Sequence, residues 1–136
     1  MPANSQILLS ANTHPGDSTT VLVGDKVKGD GFYGRADGFH TVMWNVDNFT
    51  GTITIQGSLE VDPQDEDWVE IPFEVVSGDF TVTTSGRVTI QGNLAQRQYT
   101  ADTAVESYNF KGNFVWVRVR IFDWTAGTVN SVLLNH

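Results

Sequence analysis

Apolar residues recur at every second position in several short runs of this chain. In Asn113–Phe122, Val115, Val117, Val119 and Ile121 make one unbroken face, the two-residue period of a strand with a buried side. Ile53 and Ile55 repeat it, as do Val69, Ile71, Phe73 and Val75. Gly, Pro, Asn or Asp bounds each run, which predicts strands over Thr20–Val23, Phe39–Val46, Thr52–Gly57, Trp68–Val75, Phe80–Thr84, Val88–Gly92, Ser107–Phe110, Asn113–Phe122 and Thr128–Leu134. Only residues 94–107 offer a place where a helical turn competes. Short strands with regular turn signals predict an all-β fold, a single-domain two-sheet β-sandwich of jelly-roll type. Residues 1–19 read as an N-terminal arm or first strand, and 20–136 as the sandwich.

Two decapeptides, GTITIQGSLE (51–60) and GRVTIQGNLA (86–95), agree at six positions. In each, alternate apolar residues (Ile53 and Ile55, Val88 and Ile90) are expected to face the core, with Thr52, Thr54 and Gln56 facing away. A solenoid needs a third copy, and none is visible. The pair therefore reads as one strand-and-turn solution used twice.

The other face of Asn113–Phe122 carries Phe114, Trp116, Arg118, Arg120 and Phe122. Two readings stand here. The domain's own loops cover this face and acids pair the arginines, or the face is a subunit interface anchored by Trp and Arg. On the second reading the interface residues are Phe114, Trp116, Arg118 and Arg120. The apolar stretch Ile7, Leu8 and Leu9 joins them as an arm able to add a strand to a neighbour's sheet.

Composition narrows the chemistry. The chain has 136 residues, no cysteine, 16 acids against 8 Lys and Arg, and a net charge of −8. That excludes disulfides and thiolate chemistry, and it opposes a nucleic-acid partner, which needs clustered basic residues. No run approaches the roughly 20 apolar residues of a spanning helix, so no membrane partner is expected. The N-terminal stretch lacks the basic flank and apolar core of a secretory signal, so synthesis and assembly in a cytoplasm are expected. Glu60, Asp62, Asp65, Glu66 and Asp67 crowd one loop, but without the spacing of a calcium-binding loop they read as a solvated turn. His14, His40 and His136 are dispersed, and each is expected on the surface or in a loop instead of as a metal ligand. The Gly-rich stretch 29–40 does not open a helix, so it is no phosphate loop; its Phe32, Tyr33 and Phe39 are expected to pin it down. No nucleophile elbow or acid–base set stands out. No catalytic residue, metal or cofactor is expected. Trp44, Trp68, Trp116 and Trp124 leave open a carbohydrate-binding face.

The stretches DGFHTVMWNV, GTITIQGSLE, DWVEI and GNFVWVRVRIFDWTAGTVNSVLLNH resemble small structural proteins of tailed phages, notably those infecting cyanobacteria. The likeness covers residues 29–136 and none of its motifs is catalytic. It implies a jelly-roll-like virion component, a capsid decoration or tail or neck protein. Such a protein associates with itself as a dimer or trimer and with the major capsid protein, and needs no cofactor.

Overall fold

The computed structural model describes residues 5–35, 37–75, 80–83, 87–90, 93–94 and 96–136, and between 74 and 95 only the backbone of the strands. The fold is all β, as expected from the alternation. Twelve strands are placed: β1 (Gln6–Leu9), β2 (Asn12–Thr13), β3 (Leu22–Val23), β4 (Val27–Lys28), β5 (Phe39–Ser58), β6 (Val69–Glu70), β7 (Phe73–Val75), β8 (Phe80–Thr83), β9 (Arg87–Ile90), β10 (Asn93–Leu94), β11 (Arg97–Lys111) and β12 (Trp116–Asn135). Ten of them join in one antiparallel sheet of order β1-β12-β5-β11-β7-β10, with β2, β3 and β4 also on β12 and β6 on β5; β8 and β9 pair separately. Hydrogen bonding thus links the ten strands in one sheet, where the sequence pattern suggested two sheets of a jelly roll. Of the stretch 94–107, where a helical turn competes, residues 97–107 are extended, not helical. Tyr99, Thr100, Thr103 and Val105 suit a pleated surface better than a helix, where β-branched Thr and Val are crowded.

Three strands are too long to be flat, and each bends at the same level. On β5, Val42, Trp44 and Val46 point inward, then Phe49, Ile53 and Ile55 do, so the inward parity switches from even to odd. Asn48 sits between them with φ 48, and Ala101 on β11 (φ 49), Asp123 (φ 51) and Gly127 (φ 90) on β12 share that left-handed backbone. The β5–β12 register slips between Phe122 and Thr128, and the β5–β11 register between Tyr99 and Ala104. An extra residue re-aims every side chain beyond it, so a line of bulges turns three adjacent strands together while keeping apolar side chains inside. Threonine hydroxyls serve backbone donors there: Asn48 N donates to Thr103 Oγ1 at 3.1 Å, and Ala101 N to Thr50 Oγ1 at 2.9 Å. The sequence pattern broke β5 and β12 into two strands each because Asn and Asp read as turns. They are bulges within continuous strands.

The two decapeptides end up in different places. Residues 51–58 lie in the middle of the ten-stranded sheet and are buried on both faces, including Thr52, Thr54 and Gln56. This corrects the outward placement of those three. Thr54 Oγ1 donates to Arg120 O, and Gln56 Oε1 accepts from Arg118 Nε at 2.8 Å. The second copy supplies β9, paired with β8 in the two-stranded sheet; its Gly86, Gln91 and Gly92 lie outside the described residues.

The core gathers Trp44, Phe73 and Tyr108, with ring centroids 4.8 to 5.7 Å apart. Their polar tips form a chain. Trp44 Nε1 donates to Tyr99 Oη at 2.7 Å, Tyr99 Oη donates to Glu106 Oε1, and Tyr108 Oη donates to Glu106 Oε2 at 3.0 Å. Arg97 Nε lies 3.3 Å from the same carboxylate. Burial, reinforced by Glu106, raises the pKa of both phenols, that of Tyr108 from 10.0 to about 12. The folded state therefore keeps two protons that the unfolded chain releases first. Stability is complete below pH 10 and falls as pH climbs toward 12, by about 1.4 kcal/mol per pH unit for each tyrosine held neutral. Urea midpoints should hold up to about pH 9.5 and drop steeply by about pH 11.5. A flat midpoint across that range would mean the phenols ionise freely in the folded protein.

Candidate functional site

The loop that leads from β4 into β5 enters backbone-first. Gly29 N donates to Val115 O and Gly31 N to Phe114 O, both at 3.0 Å, and Gly112 N donates to Gly38 O at 2.9 Å. Tyr33 N and Arg35 N both donate to Asp30 O, closing a tight turn over that residue. Asp30 is thereby carried inward and is 2% exposed. His40, the second residue of β5, is fully buried and stacks on Phe110 across the β5–β11 pair, with centroids 4.7 Å apart and planes 5° apart. His136 follows Asn135, which pairs with Thr41, so the register sets it beside His40. The two rings lie 5.1 Å apart.

Asp30, His40 and His136 each bring one donor atom to within 4.8 Å of the others. His136 Nδ1 donates to Asp30 Oδ1 at 2.5 Å. His40 Nδ1 donates to Gly38 O at 3.1 Å, leaving Nε2 as an acceptor, 3.4 Å from Asp30 N. Burial lowers the His40 pKa, against the opposing pull of Gly38 O and Asp30. The ring is therefore neutral, with its lone pair turned toward the cluster. Arg35 Nη1 lies 3.7 Å from Asp30 Oδ1, on a side chain half-exposed to solvent. Beside the cluster a polar cavity of about 270 Å³ is lined by Gln6, Tyr33, Arg35 and His136. Among the described residues no hydroxyl hydrogen-bonds to either ring, and the chain has no thiol. The arrangement thus lacks the nucleophile of a catalytic triad.

The dispersed-histidine reading needs correction for two of the three. His40 and His136 converge with Asp30 because the ends of β5 and β12 pair, a relation that sequence spacing hides. His14 is elsewhere, packed edge-on against Trp124 at 4.8 Å, with Nε2 donating to Thr19 O and Nδ1 accepting from Gly16 N. Phe32, Tyr33 and Phe39, expected to pin the Gly-rich loop, are 44–46% exposed. Asp30 and the loop's backbone bonds hold it, with Phe32 packed on Trp116 at a centroid distance of 5.4 Å.

Of the residues read as interface anchors, Trp116 donates through Nε1 to Val61 O at 2.9 Å and packs against Phe32. Arg118 bonds Gln56, lies 4.0 Å from Asp65 and stacks on Trp68. Phe114 is half-buried and packs against the core; Arg120 lies over Phe122. The chain's own 58–68 loop, which carries a 3-10 turn at Asp65–Asp67, thus covers Trp116 and Arg118. Leu8 and Leu9 are core residues, whereas Ile7 is 63% exposed. Trp44 and Trp124 are buried and cannot stack on a sugar.

Ile7 belongs to a row that the sequence did not reveal. It pairs with Leu133, which pairs with Met43, which pairs with Ser107, across β1, β12, β5 and β11. Directly paired residues share a face, and on this one Met43, Phe39 and Val105 are also exposed.

No protein-family model matches the chain, and no curated protein matches its sequence. Among solved structures it is similar to the K3 cleaved adhesin domain of Lys-gingipain from Porphyromonas gingivalis w83, at 12% identity and a TM-score of 0.43, over 85% of this chain and 62% of that one. The chain therefore spans less than two thirds of that structure.

Proposed function

We propose that the protein is a non-enzymatic structural component of a phage virion, a capsid decoration protein that docks on the major capsid subunits and associates with itself as a dimer or trimer. The observation that carries this reading is the apolar row Ile7–Leu133–Met43 across three paired strands, exposed at Ile7 and Met43 and half-buried at Leu133, with exposed Phe39 and Val105 beside it. Singly scattered apolar residues on a surface need no explanation, but a row across adjacent strands is what a docking face requires. The phage resemblance of residues 29–136 supports the same reading. The net charge of −8 suits a partner with basic residues around an apolar seat.

Charge placed on the row tests it. Ile7→Glu with Met43→Glu should leave the fold intact, because both side chains reach solvent, and should weaken binding to expanded heads of the parent phage at least about tenfold. Co-sedimentation with heads and sedimentation velocity of the isolated protein measure the two associations. Unchanged binding by a folded double variant would sink the docking face. Recovery from purified tails but not heads would make the protein a tail, neck or fibre component. A second reading, a carbohydrate-binding adhesin module, draws on the exposed Phe32 and Tyr33 beside the polar cavity. Glycan-array binding lost in Tyr33→Ala would favour it.

A further inference from the structure

We propose that Asp30, His40 and His136 form a binding site for one divalent transition-metal ion, with Zn²⁺ the best fit, which ties the β4–β5 loop to the ends of β5 and β12. Two imidazole nitrogens and one carboxylate oxygen form a donor set suited to Zn²⁺, completed by a water as the fourth ligand. The three donors come from three separate segments and meet with their ligand atoms within 4.8 Å of one another. Around a tetrahedral ion with bonds of about 2.0–2.1 Å, neighbouring donors stand roughly 3.3 Å apart. Binding therefore draws the widest pair together and opens the 2.5 Å His136–Asp30 contact.

The surroundings already have the form of a metal centre's outer shell. A ligating histidine ordinarily gives its other N–H to a backbone carbonyl or carboxylate, which fixes the tautomer and aims the free nitrogen at the ion. His40 does this through Nδ1 and Gly38 O, while Phe110 holds the ring flat; its Nε2 accepts only a long 3.4 Å bond from Asp30 N, which an ion would displace. The side chains of Asp30 and His136 are only 3% and 5% exposed, so the donors meet where water competes poorly. A second observation points to a ligand here. Gln6 Oε1 is buried with no hydrogen-bond partner among the described residues, and Gln6 lines the adjoining cavity. A metal-bound water in that cavity would donate to it. Arg35 stands near the position an ion would take, but its half-exposed side chain can swing outward, and the cavity gives the ion a way in.

The test uses the full chain, treated with chelator and titrated with Zn²⁺ by calorimetry and thermal unfolding. One Zn²⁺ per chain is expected, with the melting temperature raised by about 5 °C or more at saturation. Binding should weaken at least about tenfold in Asp30→Asn, His40→Gln and His136→Gln, and persist in His14→Gln, whose ring lies apart. Co²⁺ in place of Zn²⁺ should give the visible absorption of a tetrahedral ion, lost in the same variants. Should His40→Gln fail to fold by circular dichroism, His136→Gln at the end of β12 decides the matter. Absence of stoichiometric binding, or binding that His136→Gln leaves unchanged, would overturn the site. So would an equal thermal shift with Ca²⁺ that survives in His136→Gln, since that would place the ion on the exposed acids of residues 60–67.

Discussion

Gly127→Ala should cost about 3–5 kcal/mol and leave the domain at the edge of unfolding. At φ 90 a side chain is strained by roughly 1–3 kcal/mol wherever it stands. Here a Cβ would also lie 2.1 Å from Asn48 O and 2.5 Å from Asn48 C, both backbone atoms on the facing bulge of β5. Relief requires β5 and β12 to part at the line where the sheet turns, and forced overpacking adds about 1–3 kcal/mol. Gly16 supplies the control. Its φ is 80 but nothing lies within 4 Å of a built Cβ, so Gly16→Ala should cost only about 1 kcal/mol. Urea denaturation of the two variants separates close approach from backbone strain. Equal losses would show that the bend tolerates a methyl group and that the strands are not held together there.

The second large effect is expected at Glu106. Its carboxylate accepts from Tyr99 and Tyr108, two phenols that are 2% and 1% exposed. Glu106→Ala leaves both hydroxyls without that acceptor inside the core, and Trp44 then donates to an oxygen whose own proton has lost its partner. At about 1–3 kcal/mol for each unsatisfied group the loss should reach about 3 kcal/mol, with the near-ultraviolet signal of the Trp44–Tyr108 contact reduced. Glu106→Gln keeps one acceptor in place and should cost about 1 kcal/mol. If the glutamine variant were as unstable as the alanine one, the charge beside Arg97 would carry the effect and the hydrogen-bond chain would not.

Some of this architecture was legible in the sequence. Strict alternation located the inward face of β12 at Val117, Val119 and Ile121, because burial on one side imposes a period of two whatever the fold; on β5 it found Ile53 and Ile55 but not that Thr52, Thr54 and Gln56 between and beside them are buried too. Alternation cannot say which strands pair, and the remaining features depend on pairing. Asn48 and Asp123 carry the signature of turns, yet the pairing only shifts register there and the chain runs on through a bulge. His40 and His136 stand 96 positions apart and meet only because Asn135 faces Thr41. The Ile7–Leu133–Met43 row is likewise invisible without the β1–β12–β5 order. Trp116 and Arg118 were correctly seen as needing cover, but whether that cover is a neighbour or the chain's own acidic loop turns on where residues 58–68 fold back.

The segments from Gln6 to Lys28 run along one side of β12, and β5 lies along the other. β12 is thus made after every strand it pairs with, and β1 to β4 have no other partner among the described residues until it arrives. While the chain is being made, β5 can bind β11 but exposes its other edge, and the leading residues wait as unpaired chain. Such non-local closure is slow and leaves strand edges open to wrong partners. Order of synthesis and order of assembly run opposite here: β1 to β4 are made well before β12 and can dock only once it has been made.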